Sequence, residues 1–184
     1  MCGMCIGILR RLRKLVPLLT PATLRTVVTA FILSRLDHGN GLYIGLQEGM
    51  LDHLQTTMND AAQLLYNLLR RAHAKPLLRE LHWLPIRQRS KFKGLCIAHK
   101  TWYGNAPDYI KERLTPYILG RALRSSDAYL LRCPKWKKAT MGGRSFAALI
   151  PQMWNTLPEK LRREPSDLLF RKQLKTILFA QALD

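Results

Sequence analysis

The sequence predicts a mainly α-helical bundle with one short β-hairpin near residues 128–142. Three observations carry this. Apolar residues recur in steps of three and four, most cleanly at Leu51, Leu54, Met58, Ala61, Leu65 and Leu68, as one buried helix face requires. Prolines at Pro21, Pro85, Pro107, Pro116 and Pro158 stand where helices start or stop rather than inside them. The stretch between Arg121 and Gly143 has another texture, with Cys133-Pro134 and Gly142-Gly143 bracketing a hairpin-sized segment.

The elements follow in order. Thr20-Pro21 reads as an N-cap and first helical residue, and Leu24, Val28 and Phe31 then mark a core face through to Leu36. Asp37 to Gly49 holds four glycines, too many for a helix interior. It carries no phosphate-loop pattern, so it is expected to be a structural loop. A long amphipathic helix is expected over residues 50–71.

At Leu81-His82-Trp83-Leu84-Pro85-Ile86 one helix must end and another begin, because Pro85 lacks an N–H and drives Leu84 out of the α region. The large apolar residues of this hinge belong in the core, with His82 as a hydrogen-bonded structural histidine. The hinge divides the chain into helical halves 1–84 and 85–184, or bends one continuous domain. Helix 85–103 packs Ile86, Phe92, Leu95, Cys96, His99 and Trp102, and turns its Arg and Lys residues largely outward. A short helix follows Pro107. The next helix, around Phe146 to Leu157, should kink or break at Pro151. Ser166 N-caps the last helix, with Phe170, Leu174, Ile177 and Leu178 inward and Arg171, Lys172 and Lys175 outward.

Charge narrows the function. Thirty Lys and Arg residues against twelve Asp and Glu give a net charge of +18 over 184 residues, which favours a polyanion such as RNA or DNA. The candidate phosphate contacts are Arg10, Arg11, Arg13 and Lys14, then Arg87, Arg89, Lys91 and Lys93 beside the hinge, then Lys135, Lys137, Lys138 and Arg144. Trp136 sits among those last lysines, and an aromatic face beside cations suits single-strand stacking; a solvated basic turn is the plainer alternative. Between Arg35 and Arg70 there is no Lys or Arg, so helix 50–70 suits protein contact better than nucleic acid. No apolar run approaches the ~18 residues of a membrane span. Cys2 and Cys5 have Cys-x-x-Cys spacing, but no second pair follows, so no metal and no cofactor is expected. The four scattered cysteines fit a reducing compartment, cytoplasmic or nuclear rather than secreted.

A set of short motifs stands in a telling order: Ile8-Leu9-Arg10-Arg11-Leu12-Arg13, Ser34-Arg35-Leu36-Asp37 with Asn40 and Gly45-Leu46, Asn59 to Ala62, Leu81-His82-Trp83-Leu84-Pro85, and Gly104 with Ala106-Pro107 and Tyr109. Arg124-Ser125-Ser126-Asp127, Gly143-Arg144-Ser145-Phe146, Trp154-Asn155-Thr156-Leu157-Pro158 and Phe170 with Leu174-Lys175-Thr176 continue it. This ordered set resembles the C-terminal tail of LINE-type (non-LTR) retrotransposon reverse transcriptases. The resemblance runs nearly end to end. It implies the thumb and post-thumb region that follows a catalytic palm, in proteins that copy element RNA into DNA at a nicked target. Where the family has alanines closing with Arg after Asn59, this chain has Asp60 and Gln63, which removes the family's basic group there.

Polymerisation of that kind needs paired carboxylates around two metal ions ~3.5–4 Å apart. The sequence has no Asp-Asp and no G-x-S-x-G. The expectation is therefore a catalytically incomplete remnant, not an enzyme by itself, with Met1 an internal methionine of a longer ancestral frame and nonspecific RNA or DNA binding retained. The alternatives are a small basic structural RNA-binding protein and a decayed reading frame.

Overall fold

In the computed structural model the described residues are 2–69, 72–117, 129–134 and 143–183, and most of them are helical. The chain divides into two compact units, Met1–Asn40 with Leu46–Arg89 and Phe179–Asp184, and Gly41–Gly45 with Ser90–Leu178.

In the first unit, helix α1 (Cys2–Leu15) buries Cys5, Leu9 and Leu12 and lies on α4 (Glu48–Leu65). Helix α2 (Pro21–Val28) starts as expected: Thr20 Oγ1 accepts from the Thr23 N–H at 3.2 Å and Pro21 stands at the first helical position. The helical run then widens into a π-turn, Thr29–Leu33, before α3 (Ser34–Asp37). That turn corrects the expected face. Phe31 is half exposed, whereas Ile32, Leu33 and Leu36 are buried, as are Leu24 and Val28. With more residues per turn, each rotates the chain less, so the inward position passes from Phe31 to Ile32 and Leu33.

Helix α4 buries Leu51, Leu54, Met58 and Ala61 as expected, but ends earlier, at Leu65. Asn67 adopts φ 51°, the Asn67 N–H donates to the Leu64 carbonyl at 3.1 Å and the Leu68 N–H to that of Gln63 at 2.9 Å. This Schellman cap reverses the chain and leaves Leu68 exposed, while within the helix Leu64 is buried and Leu65 only half-buried. The apolar stripe is thus used within the unit, against α1 and α2.

Helix α5 (Ala74–Glu80) closes with the same device. His82 takes φ 55°, with His82 N–H to Arg79 C=O at 3.1 Å and Trp83 N–H to Leu78 C=O at 2.9 Å. The His82 ring points out and its Nδ1 lies 2.9 Å from the Arg79 carbonyl, while Leu81, Trp83, Leu84 and Ile86 are buried. The hinge is therefore a packed corner. Helix α6 (Ile86–Trp102) begins there, its first N–H donating to Gln55 Oε1 at 2.9 Å. The division between the units falls within α6, after Arg89.

In the second unit α6 buries Leu95, Cys96, Ala98 and His99 and ends in a third Schellman cap at Gly104, φ 78°. After α7 (Asp108–Lys111) comes a correction. No hairpin is found among the described residues of 128–142; residues 128 and 135–142 lie outside them. Leu131 instead bridges antiparallel to Pro116, with Tyr117 N–H to Leu130 C=O at 2.8 Å and Arg132 N–H to Thr115 C=O at 2.9 Å. Pro116 takes the position of the ladder that needs no N–H. On Leu131's other side a side chain replaces a strand: Asn155 Oδ1 accepts from the Leu131 N–H and Nδ2 donates to its C=O, both at 2.9 Å.

Helix α8 (Phe146–Asn155) runs through Pro151 unbroken. It forgoes the bond that the missing N–H would have given Ala147, and Ile150, Pro151 and Trp154 are buried. Helix α9 (Glu159–Arg162) and helix α10 (Asp167–Leu183) follow, the latter capped by Ser166 Oγ accepting from the Leu169 N–H at 3.4 Å. Phe170, Leu174 and Leu178 are buried, and Ile177 is half-buried. The glycine loop serves this packing. A β-carbon on Gly94 would meet Cδ1 of Ile44 and of Ile150 at 2.5 Å, and one on Gly45 would overlap the Arg144 carbonyl.

Candidate nucleic-acid interface

Helix α1 sorts its residues by chemistry. Cys5, Leu9 and Leu12, spaced four and three apart, face inward, and Arg10, Arg11, Arg13 and Lys14 are all exposed. Arg13 and Lys14 occupy the last turn, where the carbonyl end of the helix favours cations. Arg10 and Arg13 border a shallow hollow floored by Ile6 and Leu9, and buried Asp60 of α4 lines it too. Arg11 and Lys14 do not line it.

The basic residues of α6 divide. Arg89 does not point outward: its side chain is 18% exposed, its Nη1 donates to both Asp37 carboxylate oxygens at 2.6 Å, and its Nε to the Leu84 carbonyl at 3.1 Å. Asp37 in turn accepts from Asn40 Nδ2 at 3.2 Å. The guanidinium thus ties the end of α3 to the hinge corner, and it leaves the phosphate-binding set. Arg87 and Lys91 are half-buried. Lys93 is exposed, and its stem runs beside Gly41. Arg144 is exposed just before the Ser145 that starts α8. Lys135, Trp136, Lys137 and Lys138 lie outside the described residues.

Two buried polar side chains were not legible as special in the sequence. Arg162 is 7% exposed; its Nη1 donates to the carbonyls of Asn155 at 2.9 Å and Leu157 at 2.6 Å, capping the C-terminal end of α8. His99 is 1% exposed, stacked on Phe170 with centroids 4.1 Å apart and tilted against Tyr103 at 4.7 Å. Its Nε2 lies 2.7 Å from the Glu164 carbonyl, so that nitrogen carries the proton. Its buried Nδ1 has no hydrogen-bond partner and stands 3.9 Å from Asp167, which Arg171 holds at 2.9 Å. Cys96, one turn earlier, is pushed up to about 11 by burial, which favours its thiol form. Among the described residues no group of three His, Cys, Asp or Glu side chains is placed to hold a metal ion.

Burial pulls His99 below the ordinary 6.5, against the opposite pull of the Glu164 carbonyl and of the Asp167 and Glu164 carboxylates, with Arg171 adding to the lowering. A histidine that is less basic when folded binds fewer protons than in the unfolded chain. Stability should therefore be constant above 6.5 and fall as the pH drops below it, until the folded value is passed. Urea midpoints measured from about pH 7.5 to about pH 5.5 should decline in the parent and decline less in His99→Gln. Parallel pH profiles for the two would contradict this.

The described residues contain no helix long and apolar enough to cross a membrane. No family model, curated protein or solved structure matches the chain.

Proposed function

We propose that the chain is a non-catalytic, basic helical module that holds RNA or DNA through sequence-independent phosphate contacts, corresponding to the tail that follows the palm in LINE-type reverse transcriptases. The observation that carries this is the exposed quartet Arg10, Arg11, Arg13 and Lys14 on α1, at the head of a segment with no acid before Asp37. Exposed cations are those that can release counterions from a phosphate backbone. Two features support a structural use of the family-like motifs: Asp37 is spent on Arg89, and Asn155 on Leu131.

The test is binding of two unrelated single strands of equal length, about 20 nucleotides, followed by anisotropy. Equal affinities are expected, together with no primer extension on an RNA template in Mg²⁺ or Mn²⁺. Strong preference for one sequence, or template-dependent incorporation, would overturn the proposal.

A further inference from the structure

Residues 115–117 and 130–132 of the second unit form a two-strand ribbon with a single bridge, Pro116 opposite Leu131. Side chains alternate across a strand, and Leu131 is buried at 2% exposure, so Leu130 and Arg132 turn to the other face, together with Thr115 and Tyr117 opposite them. On that outer face Arg132 and Thr115 are exposed, Leu130 is half-buried, and Tyr117 is 47% exposed. Tyr117 and Arg132 are diagonal neighbours, within reach of each other for side chains of this length.

The backbone beneath them is fixed. The side chain of Asn155 bonds both the N–H and the C=O of Leu131, and the Trp154 indole N–H donates to the Tyr129 carbonyl at 2.7 Å. Tyr129 is itself held at φ 53° between Trp102, 5.4 Å away, and the Arg163 guanidinium, 5.5 Å from its ring centre. An aromatic ring and a guanidinium are thus presented on a preorganised ribbon, and side chains on such a backbone lose little freedom when they bind. The described strands carry no acid, and the chain bears a net charge of +18.

We propose that this ribbon docks unpaired nucleotides of RNA or DNA, with a base stacked on Tyr117 and a neighbouring phosphate held by Arg132. A duplex hides its base faces and can use only the cation, so the ribbon prefers single strands. The proposal rests on the nucleic-acid reading above and adds a strand preference to it.

The experiment is anisotropy with a labelled RNA of about 12 nucleotides, single-stranded and as a duplex, using the full chain. Tyr117→Ala should weaken the single-stranded complex about five- to 150-fold and leave the duplex complex unchanged, whereas Tyr117→Phe keeps the ring and should bind like the parent. Arg132→Ala should reduce the log-log salt slope on single strands by about 0.7. Thermal melts of all three should match the parent, since both side chains are exposed. Parent-like single-strand binding by Tyr117→Ala, or an equal loss on duplex, would overturn this proposal alone. Absence of any binding by the parent chain would overturn the wider reading and this one with it.

Discussion

Trp154→Ala is expected to remove about 3 to 5 kcal/mol from the stability of the second unit, enough to unfold a domain of ordinary margin. Trp154 is 0% exposed and packs against Trp102 at 6.3 Å and Phe170 at 5.9 Å, so its removal opens a large cavity amid rings that cannot close over it. It also leaves the Tyr129 carbonyl without its 2.7 Å donor and loosens the strand that Asn155 holds. Trp154→Phe separates the two effects: most of the packing stays and the hydrogen bond goes, for a loss of about 1 to 3 kcal/mol. Urea unfolding of both variants checks this. A midpoint for Trp154→Ala equal to the parent's would show that the aromatic cluster does not hold the unit together.

The second large effect concerns binding. Replacing Arg10, Arg11, Arg13 and Lys14 together by Gln should lower the log-log salt slope by up to about 2.8 on single strands and about 3.6 on duplex, at roughly 0.7 and 0.9 per phosphate contact. The fold should be unaffected, since all four side chains are exposed and the inward residues of α1 are untouched. A quadruple variant with the parental slope would place the phosphate contacts elsewhere.

Local chemistry was legible in the sequence. Thr20-Pro21 and Ser166 cap their helices as a side-chain oxygen beside a helix start should, and Pro85 closes one helix and admits the next because it has no N–H to give. The mainly helical class follows from such local signals. What stayed hidden depends on partners far away in the chain. Nothing near Arg89 announces Asp37, 52 residues earlier, so a cation expected outward is half withdrawn into a corner. Asn155 reads as an ordinary helix end, yet its amide serves as a strand partner 24 residues back, and the hairpin expected from Pro134 and Gly142-Gly143 is not found among the described residues. Register was lost where the helix itself departs from the 3.6-residue period, at the π-turn that exposes Phe31 and at the Asn67 cap that takes Leu68 out of the stripe. His82 at positive φ is a further case, because a capping histidine has no sequence signature that glycine would have provided.

The most direct test of nucleic-acid binding through phosphates is the affinity of the full chain for single-stranded and duplex RNA between about 50 and about 200 mM salt. A linear fall of log affinity with log salt is expected on both, steep enough to need several phosphate contacts, with the single strand retaining more affinity at the upper end because stacking does not depend on salt. Affinity independent of salt, or no binding at the lowest salt, would contradict it.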